Sequence, residues 1–168
     1  FGGSADGEGW EYMKHLLEVD NISVSFATPR GPVEAVHGVS FYLDEGEMVG
    51  IVGESGCGKS VTSQTVMKLL PPSVSKLTSG RIIWDGFNIE NFSEREMNTL
   101  RGKEMAMVFQ DPMTSLNPVL TVGEQIEEGL RLHLYLSKKE AAEEAVRLLQ
   151  SVGISGASQR VRSYPHEL

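Results

Sequence analysis

The chain has 168 residues, 40% of them apolar and 23% charged, which excludes the disordered, collagenous and fibrous classes for most of its length and leaves room for one domain with a core. The formal net charge of -8, from 15 Lys and Arg against 23 Asp and Glu, argues against a general affinity for nucleic acid or anionic lipid, so any polyanion must be held locally. The single cysteine, Cys57, cannot form an internal disulfide and reads as belonging to a reducing compartment.

Phe1 to Tyr12 is acidic and Gly-rich with almost no apolar pattern, and residues 1–13 are expected to be a leader without structure, with Met13 as the natural start. Leu16 to Phe26 and Val33 to Leu43 are enriched in β-branched residues and flank the turn-rich Thr28-Pro29-Arg30-Gly31-Pro32, the pattern of paired antiparallel strands. Met48 to Val52 is a short apolar run bounded by glycines, and its pattern predicts a buried strand. A helical pattern then runs from Lys59 to Leu70, where Pro71-Pro72 ends it. Arg81 to Trp84, Asp85-Gly86 and Phe87 to Ile89 predict a hairpin, because Asp-Gly supplies the positive φ angles of a type I′ turn.

Downstream, three helix starts carry a capping box, in which a hydroxyl and a Glu three residues later satisfy orphan amides reciprocally: Ser93 with Glu96, Thr121 with Glu124, and Ser137 with Glu140. Met105 to Phe109 is a second apolar run with the pattern of a buried strand. The last of the three helices, to about Gln150, aligns Ala141, Ala145, Leu148 and Val152 on one stripe. No run of residues is long and apolar enough to span a bilayer, so membrane contact is expected through a partner.

The densest chemistry lies between the predicted strand at Met48 to Val52 and the helix beginning at Lys59. Gly53-Glu54-Ser55-Gly56-Cys57-Gly58-Lys59-Ser60 fits G-x-x-x-x-G-K-[ST], a P-loop in its confirming context of strand before and helix after. Glycines let the backbone wrap around phosphate oxygens, so that successive N–H groups and the helix N-terminus face the anion. Lys59 then reaches the β- and γ-phosphates and Ser60 ligates Mg²⁺. A net acidic chain can bind a triphosphate in this way, through aligned amides, one lysine and a metal.

An antiparallel sheet ahead of the loop separates this sequence from P-loop proteins that open on the strand feeding the loop. With Leu17-Glu18-Val19, Ala35-Val36, Val39-Ser40-Phe41, the loop itself, Val108-Phe109-Gln110-Asp111-Pro112-Met113-Thr114-Ser115-Leu116-Asn117-Pro118 and Tyr164-Pro165-His166-Glu167-Leu168, the sequence resembles the ATP-binding subunit of ABC transporters, in the branch serving peptide and nickel importers. The likeness covers roughly residues 16 to 168. It implies an α/β fold, a P-loop NTPase of the ABC ATPase type with an N-terminal antiparallel β-subdomain and a partial helical subdomain, divided as residues 14–118 and 119–168. It also implies that Phe26 stacks on adenine, that Gln110 contacts Mg²⁺ or the attacking water, and that the cofactors are ATP and Mg²⁺. Asp111 is read as a loop residue beside Gln110 and His166 as structural.

The partners implied are transmembrane permease subunits, a second ATP-binding subunit and, indirectly, a solute-binding protein, with no nucleic acid. The implied location is the cytoplasmic face of the membrane. In this family the signature, the Walker B Asp, the catalytic Glu and the switch His follow a segment like Tyr164 to Leu168, so residues 1–168 alone are expected to be a truncated, N-terminal portion that binds ATP without turnover. Two other readings stay open: a P-loop kinase or similar NTPase, and a non-catalytic nucleotide-binding or interaction module. A GTPase is disfavoured, since no Asn-Lys-x-Asp occurs.

Overall fold

The computed structural model describes residues 15–109 and 115–167. Gln110 to Thr114, Leu168 and residues 1–14, which include the expected leader, lie outside them. Two compact units divide between Met97 and Asn98.

The first unit is built on an antiparallel sheet of strands β1 (Leu17–Thr28), β2 (Gly31–Leu43), β3 (Ser75–Trp84) and β4 (Phe87–Asn88), in the order β2-β1-β3-β4. The expected pairing of the first two strands is present, from Leu17 opposite Leu43 to Thr28 opposite Gly31. β1 does not alternate uniformly. Leu17 and Val19 are buried, then Ile22 and Val24, and the phase slips where Asn21 takes φ 50° and the register shifts. β3 follows this bulge closely: a Cβ on Gly80 (φ 90°) would sit 2.5 Å from the Asn21 carbonyl, so only glycine fits there. Val19, Ile22, Val24, Val36, Ile82 and Ile89 form the buried face. At the predicted hairpin Asp85 and Gly86 have φ 47° and 82° and Trp84 pairs with Phe87, as a type I′ turn requires.

Helix α1 (Lys59–Val66) is four residues shorter than its pattern predicts. Lys68 adopts φ 50°, which ends the helix before the prolines, and its Nζ donates to the carbonyls of Glu90 at 2.9 Å and Phe92 at 2.5 Å. Tertiary hydrogen bonds to the chain that follows β4 thus outweigh the helical propensity of Met67 to Leu70.

Neither predicted buried strand forms. Met48 to Val52 and Ala106 to Phe109 carry no ladder, and Met48, Val52 and Val108 are 96%, 91% and 99% exposed. A fully buried strand needs neighbours that accept its hydrogen bonds and cover both faces. Among the described residues no strand pairs with either run; Met105 contributes only an isolated bridge to Arg101.

Helix α2 (Glu94–Leu100) spans the division. The second unit holds helices α3 (Val122–Leu134), α4 (Lys138–Ser151) and α5 (Ala157–Arg160), then a 3₁₀ turn at Pro165–Glu167. All three capping boxes are present: the Glu96, Glu124 and Glu140 carboxylates accept from the Ser93, Thr121 and Ser137 amides at 2.7, 2.8 and 2.9 Å. The buried stripe of α4 is Ala141, Ala145 and Leu149, whereas Leu148 is half-buried and Val152 is 72% exposed. The stripe advances strictly by four residues because the helix packs its small side chains against α3, and Val152 already lies beyond the helix end. Val122, Leu149 and Ala157 form the core, with Ile126, Val146, Ile154 and Val161 around them.

Candidate functional site

The residues of the predicted loop gather at the start of α1. Gly58 is the N-cap, with φ 95°, and Gly56 has φ 82°, both in the left-handed region that favours glycine. Gly58 is constrained twice, since a Cβ would lie 2.6 Å from the Ala35 carbonyl and 3.3 Å from Val36 Cγ2. β2 is therefore the floor on which the loop turns. At Gly53 a Cβ would meet Cys57 Sγ at 2.7 Å. The spacing of the glycines thus answers steric demands within this unit as well as the need to expose amides.

Lys59 is the first residue of α1 and folds back over the loop, its Nζ donating to the carbonyls of Gly53 at 2.7 Å and Glu54 at 2.6 Å. The Cys57 sulfur is 3.4 Å from the same ammonium, and the cysteine is exposed. Glu54, Ser55 and Ser60 are also exposed, so the loop opens to solvent along its length. The helix end and the ammonium together form a concentrated positive pole on an otherwise acidic chain.

Thr62 is a site residue that the motif did not single out. It is 4% exposed, and its amide and hydroxyl both donate to the Gly58 carbonyl, at 2.8 and 3.0 Å. The signal was a hydroxyl four residues after the last loop glycine, in position to bond back to it. Phe26 is half-buried on β1 opposite Val33 and Ser75, two residues beyond Val24, which faces Val36 beneath the loop. Gln110 and Asp111 lie outside the described residues. His166 stacks on Tyr164 in the second unit, with ring centroids 5.8 Å apart.

The family model for the ABC transporter matches residues 36–168, which takes in the loop, its β2 floor from Val36 on, and the whole second unit. The chain belongs to the ABC transporter family. It is 51% identical over 155 residues to the dipeptide transport ATP-binding protein DppD of Bacillus subtilis, covering 92% of this chain and 46% of that protein. It is likewise 51% identical over 156 residues to the oligopeptide transport ATP-binding protein OppD of Salmonella typhimurium, covering 90% and 45%. The chain therefore spans about half the length of these relatives. Among solved structures, the ATP-binding cassette MJ0796 in a dimeric post-hydrolysis state bound to ADP and Pi superimposes with a TM-score of 0.77 at 24% identity, over 90% of this chain and 62% of that one. That likeness establishes the ABC ATPase fold, and with it the expected α/β class.

Proposed function

We propose that this ABC family chain binds ATP with Mg²⁺ through Gly53 to Ser60 and that, in a full-length cassette, hydrolysis of the nucleotide powers import of peptides. The observation that carries the reading is the loop itself: Gly56 and Gly58 in the left-handed region, Gly58 seated on β2, and the Lys59 ammonium bonded to the loop carbonyls. The names of the relatives, dipeptide and oligopeptide transport ATP-binding proteins, support peptides over nickel as the solute.

The residues present fit both groups. Loop amides and the N-terminus of α1 suit a polyphosphate. Lys59 can exchange its two carbonyl partners for phosphate oxygens, which as anions make stronger charge-assisted bonds. The exposed Ser60 hydroxyl in the first turn of α1 is a hard oxygen donor of the kind Mg²⁺ prefers. A divalent ion held there by Ser60 would supply positive charge against the negative charge that develops in phosphoryl transfer. Phe26 is proposed to stack on adenine, and Gln110 to serve hydrolysis through its side-chain amide. The partners proposed are permease subunits that hold the protein at the cytoplasmic face of the membrane, and a second ATP-binding subunit. No helix among the described residues is long and apolar enough to cross a membrane, in keeping with attachment through partners.

The test is uptake of a labelled dipeptide or oligopeptide by vesicles carrying the full-length cassette with its permease and solute-binding protein. ATP-dependent uptake that Lys59→Ala abolishes is the expected result; uptake that ignores ATP, or ATP turnover that no peptide stimulates, would overturn it.

A further inference from the structure

Three hydroxyls of α1 bond back to carbonyls four residues earlier: Thr62 to Gly58 at 3.0 Å, Ser63 to Lys59 at 3.2 Å and Thr65 to Val61 at 2.7 Å. Thr62 and Thr65 are both buried, 4% and 7% exposed. Bonds of this kind add little to a helix by themselves, so what each one does depends on the carbonyl it holds. Of the three, only the Thr62 hydroxyl reaches beyond the helix, to its N-cap Gly58.

That carbonyl belongs to the peptide unit that joins Gly58 to Lys59. The unit is planar and trans, so its C=O and N–H point in opposite directions. A carbonyl held toward the helix therefore turns the Lys59 N–H out of the helix start, among the amides that have no partner within the helix. Gly58 (φ 95°, ψ 1°) is also the weakest point of the turn. A glycine populates either sign of φ, and an N-cap without a side chain gives the first turn no acceptor. Rotation of this one peptide would put a carbonyl oxygen where an amide hydrogen now faces outward. The Thr62 amide opposes that rotation with one bond, at 2.8 Å, and its hydroxyl with a second. A carbonyl that accepts two bonds is also more polarised, which strengthens the N–H at the other end of the unit.

We propose that Thr62 is a positioning residue for phosphate binding: its hydroxyl fixes the Gly58–Lys59 peptide so that the Lys59 N–H is offered to the anion. The inference rests on the reading of Gly53 to Ser60 as the nucleotide loop and adds to it a residue outside the motif. Valine has the shape of threonine without the donor, and serine keeps the donor and loses a methyl group. Thr65 supplies the control. It is buried on the same helix and makes the same kind of bond, but to Val61, a carbonyl inside the helix.

The experiment is titration of the full-length cassette with a non-hydrolysable ATP analogue and Mg²⁺, with thermal unfolding measured on each variant. Thr62→Val should weaken binding about fivefold, in line with the loss of one neutral hydrogen bond. Thr62→Ser should stay within about twofold of the parent, and so should Thr65→Val, whatever either does to the unfolding temperature. If Thr62→Val does not fold, Thr62→Ala takes its place against the same serine variant. Parent-like affinity in Thr62→Val would overturn the proposal, as would an equal loss in Thr65→Val or a serine variant no better than valine. If Lys59→Ala binds the analogue as well as the parent, the reading of the loop fails and the proposal with it. If Lys59→Ala is weakened while Thr62→Val is not, only the positioning role is lost.

Discussion

Lys59 shows how one side chain serves both fold and chemistry. Its ammonium bonds two loop carbonyls, so the curvature of the loop and the placing of the charge have a common cause. Lys59→Ala should weaken ATP binding by about tenfold or more, as loss of a charged hydrogen bond worth ~1.5–3 kcal/mol implies, and calorimetric titration against the parent chain checks this. Cys57 offers a second test without any mutation. It is exposed beside the same ammonium, and bound phosphates would cover it. A maleimide is expected to label it readily, Mg-ATP to slow labelling severalfold, and the labelled chain to lose nucleotide binding. Equal rates with and without saturating Mg-ATP would mean that the sulfur does not face the phosphates. With a single cysteine, mass spectrometry needs no site assignment.

At the scale of elements, the helices of the second unit are legible because their starts are written locally. A hydroxyl and a Glu three residues apart suffice, and each box holds its carboxyl below the ordinary 4.5: at Glu140 chiefly through the Ser137 hydroxyl and then its amide, and at Glu124 chiefly through the Thr121 amide and then its hydroxyl. A carboxyl depressed in the folded state adds stability that is present above its unfolded value of 4.5 and is lost as pH falls through the lower folded value. Urea midpoints measured from about pH 6 down to about pH 3 should therefore fall less steeply for Glu140→Gln than for the parent chain. Ser137→Ala should reduce stability by ~0.5–2 kcal/mol at neutral pH, read from the same denaturation curves. By contrast, the short end of α1 and the slipped phase of β1 are set by partners distant in sequence. Lys68 bonds to Glu90 and Phe92, and the bulge at Asn21 is matched by Gly80. Only the run Leu17, Val19, Ile22, Val24, with its change of step across Asp20-Asn21, hinted at the second.

At the scale of the whole molecule, the exposed Met48, Val52 and Val108 mark runs with the composition of core strands and no strand beside them among the described residues. Surface of this kind binds hydrophobic dyes and promotes association. Residues 1–168 should bind anilinonaphthalene sulfonate strongly, and a chain extended to the length of its relatives should bind less. Equal dye fluorescence from the two would show that other surface accounts for the binding.

The sequence by itself determined the phosphate loop, the Asp-Gly hairpin, the capped helix starts and the family. Each depends on residues within a few positions of one another, where backbone dihedrals and short hydrogen bonds decide the outcome. Only the tertiary structure decided that β2 is the floor beneath Gly58, that α1 stops at Val66 and that Gln125 clamps the turn at Asn117. It also decided that Met48 to Val52 and Met105 to Phe109 form no strands, because a ladder is a property of two segments and one segment's composition cannot supply the other.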